Sequence, residues 1–230
     1  MCFSATASFT AGAVLTVIGI ATLKKAHHKS QFLFACIPLI FGVQQFAEGV
    51  LWVALPNPDL WKTQQIATMI YLIFAQIVWP IWVPIAILQL GKSKTRKTIQ
   101  RIFVIAGLLV GAYLTYYLIA FQGEAQIKGH HIAYQQNYPS ALKPFIILFY
   151  GMATIAPHFF SHIKKMWILG VSILISYFVT VQFYEHHVLS VWCFFSSLIS
   201  IFIYIIMVEI EKTRKETTSK TYRDVRHGEI

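Results

Sequence analysis

Glu48 is the only acidic residue of the chain that falls well inside a long apolar run. That run extends from Gln31 to Leu55, and Glu48 lies seven residues from its end. In a helix rising 1.5 Å per residue this is roughly 10 Å below a membrane surface. An ionisable group at such depth is costly, so it faces a protein interior or a watery cavity and marks a site. Gln44, Gln45, Glu48 and Trp52 are spaced three and four apart, which puts them on one stripe of a helix. Gln amides can hold a buried carboxylate by hydrogen bonds. Glu48 is therefore a candidate catalytic base or metal ligand, or else a protonated strut that ties helices together.

A second group of residues falls at the same level of the chain. Cys2, Ser4, Tyr71, Gln182, Glu185, His186, His187, Trp192 and Cys193 all belong to the half of the molecule that holds Glu48. A thiolate, a carboxylate and one or two imidazoles suit zinc, so Cys2, Glu48, His186 and His187 form a candidate metal set. Removal of Met1 would give Cys2 a free amine beside its thiol, a good chelating pair. A zinc-bound water would supply the nucleophile of a hydrolase. Gln44, Gln45, Trp52, Tyr71, Trp79, Trp192 and Cys193 are the expected walls of the substrate cavity. A third group is His158 and His162, four apart on a helix, with His27 and His28 in a neighbouring loop. It has no carboxylate nearby and lacks the metalloprotease Glu. Beside Lys164 and Lys165, such histidines also suit a headgroup region.

Other chemistries are excluded. No apolar run carries a central Lys for a retinal Schiff base, or central His pairs for a transmembrane haem. Phosphate loop, dinucleotide fingerprint, Cys-x-x-Cys and serine elbow are all missing from the sequence. The three cysteines, Cys2, Cys36 and Cys193, leave at least one thiol unpaired.

The elements that must position these residues are apolar helices. Of the 230 residues 57% are hydrophobic and only 12% charged, with mean hydropathy +0.60. A soluble domain of this length needs far more charge to cover its surface. Seven runs, at about 6–23, 32–54, 65–89, 100–121, 141–161, 166–183 and 188–208, approach or reach the length that spans a bilayer. The expected fold is all-α: one domain over 1–210, a bundle of seven transmembrane helices, followed by a charged tail at 211–230 that frays into disorder. The segment 122–140 reads as a loop with at most a short helical turn. Pro38, Pro80, Pro84, Pro144 and Pro157 interrupt the runs, and the block Trp79-Pro80-Ile81-Trp82-Val83-Pro84 predicts a bend near mid-membrane. Gly42 and Gly49 predict close approach of another helix.

The net charge of +10 does not point to nucleic acid. Sixteen of the nineteen Lys and Arg fall in alternate loops and the tail, while Lys62, Lys128 and Lys143 fall in the others. This is the positive-inside pattern, so the N-terminus is expected outside and the C-terminus in the cytoplasm. The basic loops then meet anionic lipid heads, and membrane lipids are the expected partners.

Four stretches resemble an uncharacterised family of small bacterial multi-span membrane proteins. They are Met1-Cys2-Phe3-Ser4-Ala5, Gln44-Gln45 with Glu48-Gly49 and Trp52, the block from Trp79 to Pro84, and Ser190-Val191-Trp192-Cys193-Phe194-Phe195. The resemblance covers nearly the whole chain. It implies a bacterial cell membrane and places Cys2, Glu48, Trp192 and Cys193 in family motifs, but brings no activity with it. A weaker likeness to the alkaline ceramidase superfamily implies seven spans and a histidine-held zinc. The chain departs from that pattern, because its His-x-x-x-His lies in the fifth run and its third run has no acid. Two functional expectations stand: a membrane-embedded, metal-dependent hydrolase of a lipid or amphipathic substrate, or a non-enzymatic sensor or small transporter that binds its ligand near Glu48.

Overall fold

The computed structural model describes residues 4–121, 123–129, 131–136, 139–183 and 188–227. The chain is mostly helical. Helix α1 (Ala5–Leu23) starts at Ser4, whose hydroxyl accepts from the Ala7 N–H at 3.2 Å, a side-chain cap for an otherwise orphan donor. The second run is divided into α2 (Lys29–Ala35) and α3 (Ile37–Ala54). The third comprises α4 (Trp61–Leu72), a π-helical segment (Ile73–Val78) and α5 (Trp79–Leu90). Helix α6 spans Lys94–Phe121, and α7 (Lys143–Thr154) is followed by the single turn α8 (Ala156–Phe159). Helices α9 (Met166–Phe183) and α10 (Val188–His227) complete the order.

Among the described residues, four helical stretches are long and apolar enough to cross a membrane: Ala5–Leu23, Lys29–Ala54, Pro58–Leu90 and Lys94–Phe121. Many of their large apolar side chains are exposed, among them Val17, Ile66, Leu109 and Ile119. That is the outward face a lipid-embedded helix presents.

The prolines explain where the runs break. Pro38, Pro80, Pro144 and Pro157 each lie in the first turn of a new helical segment, where a missing N–H leaves no intrahelical bond unmade. The expected bend in the third run takes the form of the π segment just before Pro80. Pro84 sits inside α5 and cannot donate to the carbonyl of Pro80. Gly107 of α6 packs against that carbonyl, and a Cβ there would overlap its oxygen. The expected close approach at Gly42 and Gly49 is made by α1: Cβ atoms added there would come within 3.0 Å of the Thr16 hydroxyl and 2.8 Å of the Phe9 ring.

Helix packing closes the bundle. Helix α1 packs on α3 and on α10, α10 on α9, α5 on α2, α6 and α7, and α8 on α9. The first and last helices are thus neighbours, and both pack on α3.

Two segments differ from the sequence expectation. The stretch 122–140, read as a loop, contains an antiparallel hairpin of β1 (Glu124–Lys128) and β2 (His131–Gln135), with Glu124 opposite Gln135 and Lys128 opposite His131. Gly129 at its tip adopts φ 63, a left-handed conformation natural to glycine. Ile132 and Ala133 are buried, and β2 packs against α10. This short amphipathic strand has too few residues to show a clear period of two. In the tail at 211–230, expected to continue the last run before fraying into disorder, the helix extends as far as His227. Pairs at i and i+4, Lys215 with Glu211 at 2.9 Å and Lys212 with Glu216 at 3.9 Å, support its first turns.

Candidate functional site

Helix α3 builds the site. Ile37, Phe41 and Gln44 recur at steps of four and three along one face and line a cavity of about 70 Å3 in the centre of the bundle. Ala75 of the π segment, Trp79 and Val83 of α5, Tyr150 and Thr154 of α7, His158 of α8, Leu169 and Ile173 of α9, and Ile199 and Ile203 of α10 complete the wall. The space admits a few waters or a small organic group. Glu48 continues the same face of α3, four residues beyond Gln44 and roughly 6 Å further along the helix. It is fully buried and is not part of the wall.

Polar groups around the cavity are held in defined ways. The Trp79 indole N–H donates to Gln44 Oε1 at 2.8 Å, and the Phe41 ring lies on the same indole with centroids 4.0 Å apart. The Tyr150 hydroxyl donates to the Ala75 carbonyl at 2.5 Å, which lies in the π segment. Thr154 donates to the Tyr150 carbonyl. His158 is buried, and its Nδ1 lies 3.1 Å from the Ile155 carbonyl. A carbonyl only accepts, so the bond places the proton on Nδ1 and leaves Nε2 with its lone pair.

Beyond Gln44 a second cluster closes the hairpin end of the bundle. Ala47 and Leu51 of α3 pack with Tyr71 and Leu72 of α4, Leu118 of α6 and Ile132 of β2. The Tyr71 and Tyr134 rings stack in parallel at 4.4 Å, and Gln76 of the π segment donates to Gln136 just after β2. Gln44, Gln45 and Glu48 are all buried in α3, while Trp52 is half-buried. A wider groove of about 800 Å3 opens beside this cluster, between α4, the end of α6 and β1, with Trp61, Gln64, Phe121 and Glu124 on its walls.

The opposite end is a clamp of charges. Glu211 of α10 accepts from Lys25 at 3.1 Å, Lys215 at 2.9 Å and His27 at 3.4 Å. Lys215 above all, then Lys25, holds its carboxyl down at about 2. Glu209 pairs with Lys165 at 2.7 Å, and Arg96 donates to the Ser161 carbonyl. The loops bearing most of the basic residues therefore meet at one end of the bundle.

The structure brings together Gln44 and Trp79, two of the residues expected to line a cavity, and stacks Tyr71 against the hairpin. Cys2, His186 and His187 lie outside the described residues, as do the side chains of Trp192 and Cys193. Of the four expected zinc ligands only Glu48 is therefore described, and one carboxylate does not make a zinc site. Among the described residues no three His, Cys, Asp or Glu gather as metal ligands. The expected pairing of His158 with His162 does not form. Helix α8 ends at Phe159, so His158 turns into the bundle while His162 is exposed. Partial desolvation of its ring first, then Lys92 and Arg96, push the His162 imidazole below its usual value.

Sequence reasoning missed His158, Tyr150 and Thr154 as cavity residues. Two signals pointed to His158. Pro157 ends the preceding helix, and Gly170 of α9 leaves room for the His158 Cβ, 2.9 Å from where its own Cβ would stand.

Comparison with curated proteins gave no match, and neither did comparison with solved structures. A family model does match, over residues 1–220: the family of unknown function DUF6629. With nearly its whole length inside that match, the chain belongs to this family.

Proposed function

We propose that the protein is a seven-span protein of the bacterial cell membrane, N-terminus outside and C-terminus in the cytoplasm, that binds a small amphipathic ligand in its central cavity. Three helical stretches beyond the four long apolar ones, at 143–159, 166–183 and 188–208, supply the remaining spans of this reading. The clustering of basic loops supports the orientation. One observation carries the ligand reading: a largely apolar cavity at the meeting point of most of the helices is lined by Gln44 and His158, while the Tyr150 and Thr154 hydroxyls in its wall donate to backbone carbonyls. Ligand sites are characteristically apolar with a few placed polar groups. Native mass spectrometry of protein released from membrane vesicles tests it. The wild type is expected to carry a bound small molecule, and the cavity-filling variant Ile203→Phe to lose it while keeping its melting temperature. Wild-type protein of bare polypeptide mass would overturn the reading.

A second reading is a metal-dependent hydrolase centred on Glu48 in the outer half. It is favoured by the complete burial of that carboxylate beside Gln44 and Gln45. Zinc held by Glu48 with Cys2 and His186 or His187 would supply an activated water. Elemental mass spectrometry decides it: near-stoichiometric zinc, lost in Glu48→Gln and in Cys2→Ser, is the expected result, and metal-free wild-type protein contradicts it.

A further inference from the structure

The polar groups that face the cavity are not equivalent. Gln44 has its carbonyl oxygen committed to the Trp79 N–H, so what it offers further is its amide N–H, a donor. His158 has Nδ1–H committed to the Ile155 carbonyl, so what it offers further is the Nε2 lone pair, an acceptor. The Tyr150 and Thr154 hydroxyl protons are both spent on backbone carbonyls. Among the described residues the cavity wall contains no Lys, Arg, Asp or Glu to compensate a charge, and an uncompensated ion in such surroundings is strongly disfavoured. Aromatic faces from Phe41 and Trp79 and aliphatic side chains from α3, the π segment, α5, α9 and α10 form the rest.

We infer that the cavity selects an uncharged hydroxyl-bearing group, the phenolic or alcoholic head of an amphipathic molecule. Its O–H donates to His158 Nε2, and an oxygen of the same head accepts from the Gln44 amide. A carboxylate or phosphate would bring a charge with no counter-charge, and would meet the His158 lone pair with a lone pair of its own. A hydrocarbon of the same shape would fill the space but leave both side chains without a ligand partner, which costs affinity. This inference rests on the cavity being a ligand site.

The test compares two probes of nearly equal shape on detergent-purified full-length protein. Binding of 4-fluorophenol and of 4-fluorotoluene is measured by 19F NMR, beside the 15N signals of histidine-labelled protein. The expected result is about tenfold tighter binding of 4-fluorophenol, the worth of a neutral hydrogen bond. The Nε2 signal of His158 is expected to shift with the phenol only, and His158→Leu to bring the two probes to parity. Equal binding of both probes by the wild type would overturn the hydroxyl selection and leave the cavity as an apolar ligand site. Binding of neither would overturn the ligand reading as well. Preference for the phenol without movement of the His158 signal would place the phenol elsewhere and overturn the inference. The wild-type comparison decides the matter even if His158→Leu fails to fold.

Discussion

The two ends of helix α3 bury polar groups in opposite ways. At the hairpin end, Glu48 is enclosed, Tyr71 is stacked on Tyr134, and Gln76 is tied to Gln136 across the π segment. One turn further in, Gln44 and His158 each make one hydrogen bond within the protein and line the cavity. Burial alone therefore does not distinguish a strut from a site. What distinguishes them is whether a cavity lies in front of the group. The carboxylate is the more conspicuous feature of the chain, while the cavity lies one turn away from it, at Gln44.

The largest loss is expected at Trp79, whose indole N–H holds Gln44 at the cavity wall. Trp79→Ala removes a buried ring and the donor to Gln44 together, and a loss of about 3–5 kcal/mol is expected, read as chemical denaturation in detergent. Trp79→Phe keeps most of the ring and strands only Gln44 Oε1, so about 1–3 kcal/mol should be lost. Gly107→Ala forces α6 away from the Pro80 carbonyl, and overpacking of this kind costs about 1–3 kcal/mol. Its effect should fall on both regions, because α5 lines the cavity and adjoins the π segment.

Glu48→Gln separates the regions. If the carboxylate is a strut, the melting temperature should fall while the preference for 4-fluorophenol over 4-fluorotoluene stays the same. If Glu48 serves the cavity, the preference should fall too. Tyr134→Leu removes the stack on Tyr71, worth about 0.5–1.5 kcal/mol beyond area burial. Faster amide exchange should be confined to β1, β2 and the adjoining turn of α4.

The smallest effect concerns acid. The Glu211 carboxyl is held at about 2, well below an ordinary carboxylate, chiefly by Lys215 and Lys25. A depressed carboxylate contributes stability that is fully present above its unfolded value near 4.5 and is lost as pH falls toward 2. Stability of the wild type should therefore decline between about pH 5 and pH 2 more steeply than that of Glu211→Gln. Both should run parallel above pH 6, as followed by thermal denaturation across the range.

Much of this architecture is legible in the sequence, for reasons that are local. Apolar length marks the helices, Gly42 and Gly49 mark the α1 contact, and the 44–45–48–52 stripe marks a polar interior. The charge asymmetry between loops follows from the same reading. The site itself is not legible, because it depends on which helices become neighbours. Nothing at positions 44 and 79 announces that α3 and α5 will bring an indole N–H to an amide oxygen. In the sequence His158 reads as half of a metal pair with His162 or, because Lys164 and Lys165 follow it, as a headgroup residue. The break after Phe159 reverses that direction within one turn. The hairpin escaped because five-residue strands are too short for a period of two to stand out beside seven apolar runs.

The most direct test of the cavity as the ligand site is crystallographic, with 4-bromophenol soaked into crystals of the full-length protein. An anomalous bromine peak is expected inside the cavity between Trp79 and Ile203, with the phenol oxygen within hydrogen-bond reach of His158 Nε2. An empty cavity, with bromine only in the groove beside Trp61 and Glu124, would contradict it.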